Sequence, residues 1–219
     1  MAELLYILYT LAQITLLVWG IRLWRRSRKI TLFLILLPIV GLIYDNAVIA
    51  LGRFVGESDL LQILNQGRYL LHVIITPMLI AASVALADQA GVGWAKKRIS
   101  HALFGLLTLA LIVFGLIEFA RFAYAPEWFG NTLRYVETAV SGPPIPSIIT
   151  IIVIMIIGIF IWRKISWPWL FAGGLIMFIG SAIPPSIVGP IVGSGAEVIL
   201  LASLLATAQR IQKIQSTGV

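Results

Sequence analysis

The chain contains no cysteine. That absence excludes disulfides, thiolate catalysis, thioether-linked haem and cysteine-ligated metals together. Histidine is almost as scarce, with only His72 and His101. The recurring histidine spacing of a zinc site and the HExxH motif are therefore both missing, and no metal is expected. A glycine-rich phosphate loop, a GxSxG elbow and a catalytic Ser, His, Asp order are absent as well. Charge is the remaining scarcity: 11% of residues are charged and 60% hydrophobic, with a mean hydropathy of +1.01. Soluble globular domains do not have this composition. It describes a polytopic membrane protein, and 219 residues leave no room for a separate soluble domain.

What the chain does have is long apolar runs. They lie at about 3–24, 30–52, 69–90, 101–124, 146–162, 167–186 and 190–209, each near the roughly 20 residues that cross a bilayer. The expected fold is all-α, a single seven-transmembrane-helix bundle over 1–219. Pro184, Pro185, Gly189 and Pro190 interrupt the last two runs, so segment 180–197 is either a tight turn or a re-entrant broken helix. Residues 54–67 mix Leu60, Leu61, Ile63 and Leu64 with Glu57, Asp59, Gln62 and Asn65, which suits a short interfacial helix. Residues 126–141 are expected to form an outer loop of similar kind. The fifth run, almost wholly apolar, reads as lipid contact or packed scaffold.

Of the sixteen Lys and Arg residues, twelve fall in loops on one side: Arg22 to Lys29, Lys96 to Arg98, Arg163, Lys164, Arg210 and Lys213. This bias accounts for the net charge of +7 without a nucleic-acid partner, and it predicts an amino terminus outside and a cytoplasmic carboxyl terminus in the cell membrane. The basic segment follows the first run instead of preceding it, so that run is expected to be retained and not cleaved as a signal peptide. Most tryptophans lie near predicted helix ends, where interfacial rings sit. The plan is shared with rhodopsins, but no lysine lies between Pro190 and Arg210 to form a retinal Schiff base.

Against this background the polar residues inside the runs stand out, because charge within a bilayer is expensive. A rise of about 1.5 Å per residue brings Asp45, His72, Glu118, Arg121 and Glu197 to one depth in the outer half, near Asn46 and Arg68. Arg68, His72 and Thr76 form one helical stripe, Glu118 and Arg121 are an i, i+3 pair, and Tyr6, Thr10 and Gln13 share a face. Arg53 reads as a snorkelling side chain at the outer end. His101 belongs to the basic interface.

The preferred reading is an outward-facing polar pocket among helices one, two, three, four and seven. It binds or transports a small amphiphile or lipid-like molecule, with membrane lipids as its surroundings. Arg68 and Arg121 would hold a polar or anionic group, Asp45, Asn46 and Glu118 would balance them, and Tyr6, Tyr9, Tyr44 and Phe122 would flank the apolar part. The competing reading is an intramembrane enzyme with Asp45 or Glu118 and His72 as acid and base on a lipidic substrate. A third is a structural or assembly subunit whose charged layer only ties helices together.

Overall fold

The computed structural model of the chain describes residues 2–140, 142–183 and 190–217. Among the described residues are seven helices: α1 (Ala2–Ser27), α2 (Ile30–Val55), α3 (Asp59–Gln89), α4 (Arg98–Phe119), α5 (Ile145–Ile165), α6 (Trp169–Ala182) and α7 (Ile191–Thr217). Six are long and apolar enough to cross a membrane, and α6, with 14 residues, is shorter. Positions 184–189, including Pro184, Pro185 and Gly189, lie outside the described residues.

Sequence dictates where these helices begin and turn. Ser58 caps α3 by accepting the Leu61 amide at 3.3 Å, satisfying one of the amides that a helix start leaves free, and Asp59 places a negative charge in the first turn, where the helix dipole favours it. α3 then runs unbroken for 31 residues, so 54–67 is not a separate interfacial helix. Its polar residues Asn65 and Arg68 are buried in the bundle, and that burial carries the helix through a stretch whose hydropathy dips. Pro38 and Pro77 lie inside α2 and α3, tolerated where neighbouring helices shield the freed backbone. Between α1 and α2 the chain reverses through Arg28 in the left-handed region (φ 52), whose amide donates to the Trp24 carbonyl.

The helices close a ring in which α1 packs on α2, α2 on α3, α3 on α5, α5 on α6, α6 on α7, and α7 back on α1. α4 stands outside the ring and packs chiefly against α3. Small residues permit the tightest seams: a Cβ on Gly173 would fall 2.2 Å from the Ser203 hydroxyl, which sets the separation of α6 and α7. The core is aliphatic, with Ile35, Ile39, Ile80, Ile154 and Leu204 fully buried. Large apolar side chains also cover the outside, among them Leu8, Leu103, Leu109, Ile156 and Ile179. Polar groups inside and hydrocarbon outside is the arrangement expected of helices bathed in lipid.

The fold is all-helical, as expected, with one short hairpin added. Residues 124–137, which overlap the stretch read as an outer loop, form an antiparallel hairpin, β1 (Tyr124–Phe129) and β2 (Thr132–Glu137). Its two-residue turn has positive φ at both Gly130 (50) and Asn131 (71), the geometry that matches strand twist in tight hairpins. Glu127 and Arg134 pair across the strands. Leu133 is fully buried with Val48 and Leu61, and a Cβ on Gly52 would lie 1.8 Å from the Leu133 carbonyl oxygen. Glycine at 52 lets the hairpin sit directly on α2.

Candidate functional site

The core of the site follows from the four-residue stripe on α3. Arg68 and His72 rise from successive turns of one helix face and meet the same oxygen of Asp45 on α2: Arg68 Nε donates to Asp45 Oδ1 at 2.8 Å, and His72 Nε2 lies 3.3 Å from it. Arg68 Nη1 also donates to Asn65 Oδ1 at 2.6 Å, while Asn65 Nδ2 donates to the Leu61 carbonyl at 2.7 Å. Asp45 and Arg68 are both buried, and their charges cancel where solvation cannot compensate them. Asn65 is the member that sequence reading left in a surface helix. Its signal is the i, i+3 spacing to Arg68 on a continuous helix.

His72 is not sealed in this cluster, since 34% of its side chain surface remains accessible. It borders three spaces. Below it lies a chamber of about 70 Å³ walled by α2, α3, α5, α6 and α7, with Leu42, Ile75, Leu79, Ile154 and Met177 supplying hydrocarbon and Thr76, Ser147 and Thr150 the hydroxyls. Towards the end that carries the hairpin lies a cleft of about 200 Å³ lined by Asp45, Arg68, Ser181, Ser194 and Glu197. To the side, a groove of about 220 Å³ runs between α4 and α5 past Gly115, Glu118, Phe122 and Glu137. Glu197 of α7, like His72, borders both the chamber and the cleft.

The remaining sequence candidates separate into three groups. Glu118 faces the lateral groove instead of the chamber. Arg121 is exposed just beyond α4 and pairs with no carboxylate among the described residues, Glu118 included. Asn46 turns the other way from Asp45: its Nδ2 donates to Gln13 Oε1 at 3.2 Å and to the Leu42 carbonyl at 2.9 Å, joining α1 to α2. Tyr6 is fully buried against Ala2, Ile49 and Ala50, and the Tyr44 hydroxyl donates to the Leu64 carbonyl at 2.8 Å. Neither tyrosine lines the chamber. Arg53 pairs with Glu3 at 3.0 Å on the surface, and His101 lies 3.4 Å from Asp88 at the opposite end.

In the walls of the chamber, α5 and α6 take the places expected of α1 and α4. α5, read as featureless scaffold, forms a wall of the chamber through Ser147, Thr150, Ile151 and Ile154, whereas α1 and α4 contribute nothing to that chamber. Among the described residues no group of three or more His, Asp or Glu side chains is arranged to hold a metal ion.

No protein-family model matches the chain, and no curated protein matches it.

Proposed function

We propose that the chain is an integral membrane protein of the cell membrane that binds or transports a small amphiphile at the chamber between α2, α3, α5, α6 and α7. The observation that carries this reading is the position of His72 and Glu197, which border both an apolar chamber and a polar cleft. Such a boundary fits a molecule with one polar and one hydrocarbon end. The chamber's 70 Å³ is less than half the roughly 150 Å³ that accommodates a benzene ring, so the part held there is a short alkyl segment.

Charge narrows the polar end. Arg68 is committed to Asp45 and Asn65, and Arg121 lies outside the site. With Glu197 left over, the group best matched is a hydroxyl or amine that donates to a carboxylate, and not a phosphate. The twelve basic residues of the loops lie at the opposite end of the bundle from the hairpin, and the positive-inside rule makes that end cytoplasmic. The cleft then opens outward, and the groove between α4 and α5 supplies a lateral path from the outer leaflet.

The test is mass spectrometry of molecules that copurify with the intact protein in mild detergent. A stoichiometric hydroxyl- or amine-bearing amphiphile, lost in Glu197→Gln and in His72→Ala, supports the reading. A protein that carries no such molecule, or variants that retain it in full, overturn it. The 3.3 Å approach of His72 to Asp45 favours a second reading, since a carboxylate that orients an imidazole is the arrangement of an acid–base catalyst. In that case Asp45→Asn and His72→Ala keep the bound molecule and abolish its conversion.

A further inference from the structure

Between the last turns of α1 and α7, at the basic end of the bundle, lies a cavity of about 550 Å³ with Leu23 at its base. Three cations line it: Arg26 and Lys29 from the corner between α1 and α2, and Lys213 from α7. Among the described residues no acidic side chain lines it. Asp88, the acid of that end, faces His101 at 3.4 Å.

The polar lining is already ordered. Lys29 Nζ donates to Gln215 Oε1 at 2.6 Å, Gln212 Nε2 donates to Ser27 Oγ at 3.0 Å, and Gln215 Nε2 donates to the Gln89 carbonyl at 3.0 Å. Side-chain amides and hydroxyls therefore stand beside the cations in a fixed arrangement. Level matters too. Ile30, the first residue of α2, is 67% exposed directly after Lys29, so apolar surface begins next to the cations.

We propose that this cavity binds the phosphate-bearing head group of an anionic phospholipid. The three cations neutralise the phosphodiester, and the Ser27, Gln212 and Gln215 side chains hydrogen-bond its polyol. Basic pockets between the cytoplasmic ends of membrane helices are suited to anionic head groups, because each Lys or Arg adds to the attraction while amides select for hydroxyls. The site lies at the opposite end of the bundle from Asp45 and Glu197, so it stands or falls independently of the chamber.

The experiment uses the full chain in nanodiscs of phosphatidylcholine containing a minor fraction of phosphatidylglycerol with matched acyl chains. The molecules retained after gentle extraction are counted by native mass spectrometry. Wild-type protein is expected to retain phosphatidylglycerol well above its share of the bilayer. Arg26→Gln, Lys29→Gln and Lys213→Gln should each reduce the preference by roughly five-fold, and the triple variant should abolish it. Lys96→Gln and Arg163→Gln, on the same end but outside the cavity, should leave it intact. Circular dichroism and a monodisperse elution profile establish that each variant is folded.

Three results would overturn the proposal. One is a wild-type protein without lipid preference. Another is a preference that survives the triple variant or falls equally in the Lys96 and Arg163 controls. The third is displacement of the lipid by millimolar inorganic phosphate, which would make free phosphate the ligand.

Discussion

Arg68 Nε donates to Asp45 Oδ1 across 2.8 Å, joining α3 to α2 inside the bundle with both side chains buried. Removing one member leaves the other charge buried without a counterpart, a loss of about 3–5 kcal/mol. Asp45→Leu and Arg68→Met should each lower stability by an amount of this order. Asp45→Leu combined with Arg68→Met should recover most of it, because an apolar pair leaves no charge to solvate. Thermal unfolding of the detergent-solubilised protein reads the difference; a double variant as unstable as the sum of its parts would refute the coupling.

The docking of the hairpin on α2 makes a second prediction. In Gly52→Ala the new methyl group falls on the Leu133 carbonyl, 1.8 Å away, so β2 must shift outward and uncover Leu133. We expect a cost of about 1–3 kcal/mol and faster proteolytic cleavage within 124–137. Cleavage at the wild-type rate would mean that the hairpin does not depend on this close approach.

The lack of cysteine makes the orientation directly measurable. Asn131 is exposed at the hairpin turn, and Gly93, between α3 and α4, has open space where a side chain would grow. A membrane-impermeant maleimide added to intact cells should label Asn131→Cys. It should label Gly93→Cys only after permeabilisation, and the reverse pattern would invert the assigned orientation.

Much of this architecture is legible in the sequence, for reasons that differ by element. The long helices announce themselves because 20 or so apolar residues have few alternatives in a bilayer. The meeting of Arg68 and His72 is legible as well, since four-residue spacing places them on one helical face whatever surrounds it.

The hairpin was open to recognition from Gly130-Asn131 between two short aromatic and β-branched segments, a combination that favours the tight turn. In a chain dominated by helical runs, Trp128, Phe129, Leu133 and Tyr135 read as part of an outer loop along the head-group layer instead. The early start of α3 was hidden by Asn65 and its polar neighbours, which look like surface until Arg68 gives them an interior partner. That α5 walls the chamber while α4 stands outside is a property of ring closure. Ring closure is set by which faces of distant helices pack together, and no local pattern reports it.

The outlying position of α4 has an evolutionary corollary. A helix fastened along a single seam presents most of its circumference to fatty-acyl chains, which discriminate poorly among aliphatic shapes. Leu103, Leu106, Leu109 and Val113, all exposed there, should therefore drift freely among leucine, isoleucine, valine and phenylalanine in related chains. Thr108, Leu111 and Gly115, the three buried positions of that helix, should stay nearly constant.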